Sequence, residues 1–375
     1  MISVEKIDTS SKREVHQFVR YPHQLYKGNA QWVPPLFIDA EMQLNRNKHP
    51  FYEHSDADFF LAKREGRIVG RIAALVNNRF NEYHQKHIGQ FYLFDCEDDQ
   101  EVAEVLFSTV YDWAHNRNLN RVIGPKGFCA LDGYGLLVEG YEHRQMMNMM
   151  NYNHPYYVRL IEANGFSKEV DFISCYLHID HFRMPERVHR IAERVQQRGT
   201  LRVQNFQSKN ELREWAARIG EAYNKAFINN WEYYPLTKNE INFLLENILA
   251  VANPKLMKVI VHGEDAVGFL FGFPDASAAM QRAKGHLFPF GIIYLLRELK
   301  RTKWIAINGA GILPEFQGVG GNALLYSEID KTIRESGFLE ADLTQVAETA
   351  VQMRNDLINV GGIPYKNHRV YFKDI

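Results

Sequence analysis

The predicted secondary structure of this chain repeats once along its length. Hydrophobic periodicity predicts one order of elements in residues 1–182 and again in residues 183–375: a strand, helices, a hairpin, a strand, a helix, a strand, a helix and a closing strand. The chain has 375 residues, more than one hydrophobic core usually serves. We therefore predict an α+β protein with mixed sheets, built from two tandem domains that divide between residues 182 and 183.

The second half contains a glycine-rich turn between a strand at 304–313 and a helix at 321–336. Unpaired backbone N–H groups and the positive end of the dipole meet at a helix N-terminus, and glycines let a phosphate approach them closely. The pattern predicts a cradle for a pyrophosphate, although an ordinary strand-to-helix turn would have the same composition. The residues of this turn are Gln317, Gly318, Val319, Gly320, Gly321 and Asn322.

This turn and the order of elements resemble the GNAT acyltransferase superfamily, whose acyl-CoA loop reads Gln/Arg-x-x-Gly-x-Gly/Ala. Residues 317–320 match the first four positions of that pattern. At the last position Asn322 replaces the usual small residue. The resemblance implies that acyl-CoA or acetyl-CoA is the co-substrate and that residues 317–322 hold it. It also implies that the pantetheine arm lies between strands 304–313 and 338–344, facing backbone N–H groups of Ile312 and Leu313.

Four further segments resemble a bacterial branch of tandem GNAT proteins that includes ceramide synthase-like acyltransferases. That branch implies a long acyl chain and a lipid-like amine as acceptor. The segments are residues 26–35, 94–99, 135–140 and 153–157.

The corresponding turn of the first half, residues 95–100, carries four carboxylates and no glycine. Carboxylates would repel a pyrophosphate, but they are favourable at the start of a helix. We therefore predict that the first domain has a degenerate phosphate loop and supplies cleft walls, and that only the second domain binds CoA.

Acyl transfer to an amine needs a base, and two polar residues interrupt the apolar central strands of the second half. Asn308 lies in the strand at 304–313, and Asp342 lies in the strand at 338–344, where burial is expected to raise the pKa of a carboxyl group. A solvent-facing acid at a strand end is the alternative for Asp342, and Glu340 and Glu348 are weaker candidates. GNAT proteins often carry a Tyr on the following helix as general acid, but residues 351–360 contain none.

Aromatic and amide side chains that open the helix near residue 156 are candidates for lining the acceptor cleft, although core packing explains them equally well. Those candidates are Tyr152, Asn153, Tyr156 and Tyr157, together with Trp231 of the second half. The segment 287–304 is apolar at its start and basic at its end. This segment could form a lid, an interfacial membrane helix that gives peripheral membrane contact, or a helix packed on its own domain.

The composition of the chain argues against several classes of binding partner. A formal net charge of −1 argues against nucleic acid as a partner, and the same near-neutral balance argues against a Fem-like transferase that uses aminoacyl-tRNA. Three scattered cysteines have neither metal nor redox spacing, and we predict no metal and a cytoplasmic location. The function predicted is N-acylation of a small-molecule or lipid-like amine; a non-catalytic acyl-CoA-binding protein is the alternative of another class.

Overall fold

The computed structural model describes residues 1–129, 132–146, 150–228, 230–231 and 233–375. Its strands are β1 (Ile2–Lys6), β2 (Asp56–Arg64), β3 (Arg67–Val76), β4 (Ile88–Cys96), β5 (Arg121–Gly124), β6 (Leu136–Glu139), β7 (Ser167–His178), β8 (Arg202–Gln204), β9 (Met257–His262), β10 (Asp265–Pro274), β11 (Trp304–Ile312), β12 (Glu340–Ala347) and β13 (Ile363–Asp374). Its helices are α1 (Lys12–Leu25), α2 (Phe37–Leu44), α3 (Asn78–His84), α4 (Gln100–His115), α5 (Tyr156–Ala163), α6 (Glu186–Arg198), α7 (Lys209–Glu214), α8 (Ala216–Ala226), α9 (Lys238–Val251), α10 (Ser277–Ala283), α11 (Gly291–Arg301), α12 (Gly321–Ser336) and α13 (Val351–Asn359). Parallel and antiparallel strand pairs both occur, which confirms the predicted α+β class with mixed pairing.

The chain forms two units whose bounds differ from the predicted division between residues 182 and 183. The first unit contains residues 1–173, 276–298 and 365–375, and the second contains residues 174–275 and 299–364. The closing strand β13 belongs mostly to the first unit because it pairs with β5 and β6. The end of β7 belongs to the second unit, where it adjoins β12. Each predicted half thus contributes part of its last strand to the other unit, which hydrophobic periodicity does not reveal.

In the first unit the strand order is β1-β2-β3-β4-β5-β13, with β6 paired to β13. Strand β2 is buried on both faces, because its alternate residues enter two different clusters. Phe59 and Leu61 pack with residues of α1 and α2, whereas Phe60 and Ala62 pack with residues of α4 and α5. The sheet therefore lies between two layers of helices, as a near-continuous apolar strand such as β2 requires.

In the second unit the strand order runs from the end of β7 through β12, β11, β10 and β9 to β8. Aromatic rings at the end of α8 cover β10 on one face, where the ring centroid of Phe269 lies 6.1 Å from that of Tyr223 and 5.5 Å from that of Phe227, the residue after the helix. Helix α12 approaches the strands closely at Gly321, where an added Cβ would lie 3.3 Å from Cδ1 of Ile260 on β9. Helix α6 packs along α12, and a hydrogen bond of 2.9 Å joins Nδ1 of His189 to Oγ of Ser327.

Across the part of the chain that the structure describes, no helix is both long enough and apolar enough to span a bilayer.

Candidate functional site

Two neighbouring parallel strands of the second unit separate at a β-bulge. Strand β11 pairs with β12 from Trp304 opposite Glu340 to Ile307 opposite Leu343, and this pairing ends there although both strands continue. On its other side, β11 has one residue more than β10 between its pairs with Gly272 and Leu270. The extra residue lies at Asn308–Gly309, and Gly309 has φ +92°, a conformation that glycine adopts without strain. The bulge therefore opens a gap between β11 and β12.

The backbone amides of β11 beyond the bulge point alternately to either side. The Leu313 N–H donates to the Val267 carbonyl oxygen over 2.9 Å, so this amide is already bonded within the protein. Because amide direction alternates along an extended strand, the N–H groups of Ile312 and Ala310 point away from β10, toward the gap. The predicted amide contacts of Ile312 and Leu313 with a cofactor stay predictions, and Ile312 is the better placed of the two.

The loop that follows β11 leads into α12 without a side-chain cap. Gly320 occupies the N-cap with φ +96°, no side chain caps the helix among the described residues, and the Gly320 carbonyl accepts the first helical bond from Leu324 over 3.1 Å. Gly318 has φ +76° with open space around its α-carbon, and the side chains of Val319 and Asn322 are exposed. The amides of the first helical turn are therefore directed at solvent, as an anion-binding helix start requires.

Two side contacts fix the shape of this loop. The Gln317 side-chain amide donates to the Ile312 carbonyl over 3.1 Å, which ties the loop to the end of β11. A Cβ on Gly320 would lie 2.6 Å from Cγ2 of Val195 and 3.0 Å from Cγ2 of Ile191. Helix α6 therefore forms one wall of the loop. The Gln317 side chain supports the loop through this bond, although the residue is exposed.

The corresponding place in the first unit has the same backbone plan but no open helix start. Strands β4 and β5 pair in parallel over only three residues, and β4 has its bulge near Leu93, at φ +50°. The carboxylate of Asp99 accepts from the amides of Glu101 and Val102 and pairs with Arg64 over 2.6 Å. The protein's own carboxylate thus takes the position at which an anion would bind to α4.

Asp342 is fully buried on β12, three residues before Gln345, which has a positive φ. Its Oδ1 accepts from the Thr344 hydroxyl over 2.8 Å, and its register partner on β11 is Ala306, two residues before the bulge. Gln345 has φ +49°, and its amide donates to Oγ of Ser174 on β7 over 3.0 Å. Burial, together with the nearby Asp342, raises the pKa of the Cys175 thiol. Asp342 therefore lies beside the gap and is not a solvent-facing acid.

The other polar candidates of the second unit are distributed around the same strands. Asn308 is half-buried at the bulge itself. Glu340 accepts from the Tyr176 hydroxyl over 3.1 Å, at the end of β12 farthest from the bulge. Glu348 is half-buried after β12, and Trp231 is half-buried in the turn after α8. Of these residues, Asn308 and Asp342 are the pair that register brings to the gap, and their catalytic roles stay predictions.

Tyr326 is a polar residue near this region that the sequence did not single out. It lies in the second turn of α12, and its hydroxyl is 3.6 Å from Sδ of Met353 on α13. Burial, with a smaller effect from Asp356, raises the pKa of Tyr326 to about 12, so the hydroxyl remains protonated at neutral pH. Helix α13 itself carries no tyrosine, and the sequence signal for Tyr326 would have been a polar aromatic residue on the α12 face that meets α13.

The four predicted acceptor residues of the first half lie in the first unit, and protein partners use their polar groups. The Tyr157 hydroxyl accepts from the Cys96 amide over 3.2 Å and bonds to Asp95. The Asn153 side chain bonds both the amide and the carbonyl of Leu137. These contacts are typical of residues that hold a fold together, and a role toward an acceptor stays a prediction. Tyr156 and Tyr152 likewise donate to backbone carbonyls, those of Cys96 and Tyr141.

The second unit has two features that suit a phosphorylated ligand with an extended arm. The open start of α12 suits a pyrophosphate, and the gap between β11 and β12 suits an extended arm. Among the described residues, no group of three or more His, Cys, Asp and Glu side chains is arranged to hold a metal ion.

Comparison with known proteins gives two relatives over nearly the whole chain. The chain is 27% identical over 371 residues to protein YghO of Escherichia coli strain K12. This match covers 97% of this chain and 94% of the relative. The chain is 28% identical over 374 residues to the bacterial ceramide synthase of Caulobacter vibrioides strain NA1000 / CB15N. This second match covers 98% of this chain and 96% of the relative. No protein-family model matches the chain. The predicted resemblance to the ceramide synthase-like branch is confirmed.

Comparison with solved structures identifies the fold. A tandem GNAT protein from the clavulanic acid biosynthesis pathway, solved without acetyl-CoA, superimposes with a TM-score of 0.59 at 10% identity. The match covers 100% of this chain and 98% of that protein. This chain therefore has the fold of two GNAT domains in tandem, as the sequence predicted.

Proposed function

We propose that this protein is an N-acyltransferase that uses acyl-CoA and that the second unit binds the CoA. The observation that carries the proposal is the contrast between two equivalent helix starts. Helix α12 begins at Gly320 with no side-chain cap, whereas Asp99 caps α4. A phosphate is favoured at the first and repelled at the second. The GNAT fold supports the same assignment.

Each part of the second unit has a proposed task in holding the donor. The amides at the start of α12 bind the pyrophosphate, with Gly318 and Val319 leaving room for it. The Ile312 N–H, directed at the gap, hydrogen-bonds the carbonyl oxygen of the acyl group. Bound acyl-CoA supplies a thioester that donates the acyl group to an amine. Acetyl-CoA would bind through the same phosphate and pantetheine contacts.

Asp342 is the proposed base. An attacking amine must be neutral, and a carboxylate beside the gap can take its proton directly or through a water molecule. The Thr344 hydroxyl holds the Asp342 carboxylate in place by donating to Oδ1 over 2.8 Å. Asn308, at the bulge, is proposed to orient the acceptor. Tyr326 is proposed to return a proton to the departing thiolate, because its high pKa keeps it protonated.

The acceptor that we propose is a lipid-like amine, and the acyl chain a long one. The relative named bacterial ceramide synthase supports this choice, since it matches 98% of this chain. A cytoplasmic location is proposed because acyl-CoA is an intracellular metabolite and because Cys96, Cys129 and Cys175 are free thiols.

The test is release of free CoA from acetyl-, octanoyl- and palmitoyl-CoA, each offered to a panel of amines from small amino acids to long-chain amino alcohols. We expect release that depends on both the thioester and a primary amine, with an N-acyl product in the mass spectrum. Product bearing an ester in place of an amide would refute N-acylation. Binding of CoA without amine-dependent release over the whole panel would favour the non-catalytic alternative.

That alternative has one observation in its favour. Helix α13 carries no tyrosine, and Ala350 precedes it where GNAT proteins usually have Asn. A binding protein would retain the affinity for acyl-CoA, and the substitution Asp342→Asn would change nothing measurable. Isothermal titration with CoA, performed beside the release assay, separates the two functions.

A further inference from the structure

An exposed apolar surface runs from the loop after α10 along the outer face of α11. Four large apolar side chains in this stretch are strongly exposed, and Ile293 and Leu296 lie one helical turn apart on a common face. Soluble surfaces carry scattered apolar residues, but a contiguous row of aromatic and aliphatic side chains marks an interaction site. The four are Phe288 (70% exposed), Phe290 (62%), Ile293 (42%) and Leu296 (55%). We call this row the α11 apolar row.

The inner face of the same segment is firmly anchored, so the exposure is not that of a loose loop. The Gly285 carbonyl accepts from the Phe37 amide over 2.8 Å, and the His286 ring lies 5.0 Å from the Phe37 ring. The Gln281 side-chain amide donates to the carbonyl of Ala30 over 2.8 Å. Gly291, the first residue of α11, is buried. The segment that leads into α11 and the first residue of α11 are therefore held in place, which fixes the residues that the outer face presents.

The charges around the α11 apolar row are mainly positive. Residues 276–298 contain Arg282, Lys284 and Arg297, all exposed, and one acidic residue, Glu298. The Glu298 carboxylate is only 21% exposed and lies 3.8 Å from Arg282. Arg297 directly follows Leu296 on α11. Apolar side chains with cations at their border are the combination that binds the interface of an anionic bilayer.

We propose that the α11 apolar row docks the protein on an anionic lipid bilayer. Phe288 and Phe290 enter the boundary between headgroups and acyl chains, Ile293 and Leu296 follow, and Arg297 meets lipid phosphates. A second copy of the chain is the less favourable occupant, because a symmetric contact would bring Arg297 against its own counterpart. The proposal concerns peripheral contact with the bilayer surface and is independent of the acyl-transfer chemistry.

The experiment is vesicle flotation of the full-length protein, without acyl-CoA or amine. Vesicles of phosphatidylcholine alone are compared with vesicles that contain phosphatidylglycerol at one third. The variants are Ile293→Asp/Leu296→Asp, Arg297→Glu, and the matched control Ile358→Asp, which places the same charge at an exposed apolar position on α13. Thermal melts confirm folding of each variant, and light scattering gives the oligomeric state.

We expect the wild-type protein to float with the anionic vesicles and to detach as salt rises, since the Debye length shortens to about 3 Å at 1 M salt. The double variant should lose binding by about tenfold or more, Arg297→Glu by about fivefold or more, and Ile358→Asp should bind like wild type. Three results would overturn the proposal: no flotation of the wild type, equal binding by the folded double variant, or a dimer that dissociates in the double variant while vesicles bind neither form.

Discussion

A β-carbon on Gly320 would lie 2.6 Å from Cγ2 of Val195, so helix α6 packs against one side of the N-cap residue of α12. This proximity makes Gly320 a poor position for testing anion binding, because any side chain there disturbs the packing of α6 and must also adopt φ +96°. We expect Gly320→Ala to lower the free energy of unfolding by about 1–3 kcal/mol. Urea unfolding measures this loss, and a variant as stable as wild type would show that α6 moves freely.

Asn322→Asp tests the phosphate assignment without that difficulty. Asn322 is exposed in the first turn of α12, where a carboxylate stabilises a helix by about 0.3–1 kcal/mol but repels a bound anion. We expect unchanged or higher stability and an affinity for CoA that falls by about tenfold. Asn239→Asp, at the same position of α9, is the matched control. Calorimetric titration measures the CoA affinity of both variants. Equal affinities would mean that the pyrophosphate binds elsewhere.

Asp342→Asn should lower kcat by about 10²–10⁴-fold while leaving CoA affinity nearly unchanged. The substitution keeps the shape of the side chain and an oxygen that can accept from Thr344, but it removes the proposed base. Glu340→Gln is the control, since Glu340 lies two residues earlier on β12 and bonds to Tyr176. Steady-state kinetics with thermal melts separate catalysis from folding. Equal losses in the two variants would mean that neither carboxylate is the specific base.

Tyr326→Phe should lower kcat by about 10-fold to 100-fold with little change in KM. The ring remains, so packing against α13 is kept, and only the hydroxyl near Met353 is removed. The companion variant Met353→Leu removes the sulfur contact and leaves the hydroxyl. If Met353→Leu lowers kcat as much as Tyr326→Phe does, the contact between α12 and α13 matters rather than proton transfer. Full activity of Tyr326→Phe would leave the general acid to another group.

Local sequence signals predict the bounds of the strand and the helix around the site to within one residue. The predicted strand at 304–313 is β11, and the predicted helix at 321–336 has the bounds of α12, because glycine and proline mark both ends of the turn. The helix that the sequence predicts near residue 156 is α5, which begins at Tyr156.

Features that depend on pairing between distant strands were not visible in the sequence. The bulge at Asn308–Gly309 is defined by the register between β11 and β10. The unit to which each part of β7 and β13 belongs depends on which strands lie next to it. Tyr326 was missed for a similar reason, because its position matters only through contact with α13. Composition and periodicity report local preference, whereas these features follow from tertiary register.

His368 should make the stability of the first unit depend on pH. It is fully buried on β13, its Nε2 lies 2.9 Å from the Asn151 carbonyl, and burial, with a smaller effect from Lys366, lowers its pKa to about 4. The unfolded chain has a histidine pKa of about 6.5. Above that pH both states are neutral and the stability is complete. Between pH 6.5 and 4 the unfolded chain binds a proton that the folded protein excludes, so stability falls as the pH falls.

The variant His368→Gln removes this titration, and His87→Gln, at an exposed position, is its control. Urea unfolding at pH 7.5 and pH 5.0 should show the wild type losing about 2 kcal/mol more than His368→Gln over that interval. The absolute stability of His368→Gln is expected to be lower at pH 7.5, because glutamine fills the buried site less well, but its change with pH is the quantity compared. The control should follow the wild type. Parallel curves for wild type and His368→Gln would mean that the folded protein admits the proton, by local opening of β13 near Asn151, before it unfolds.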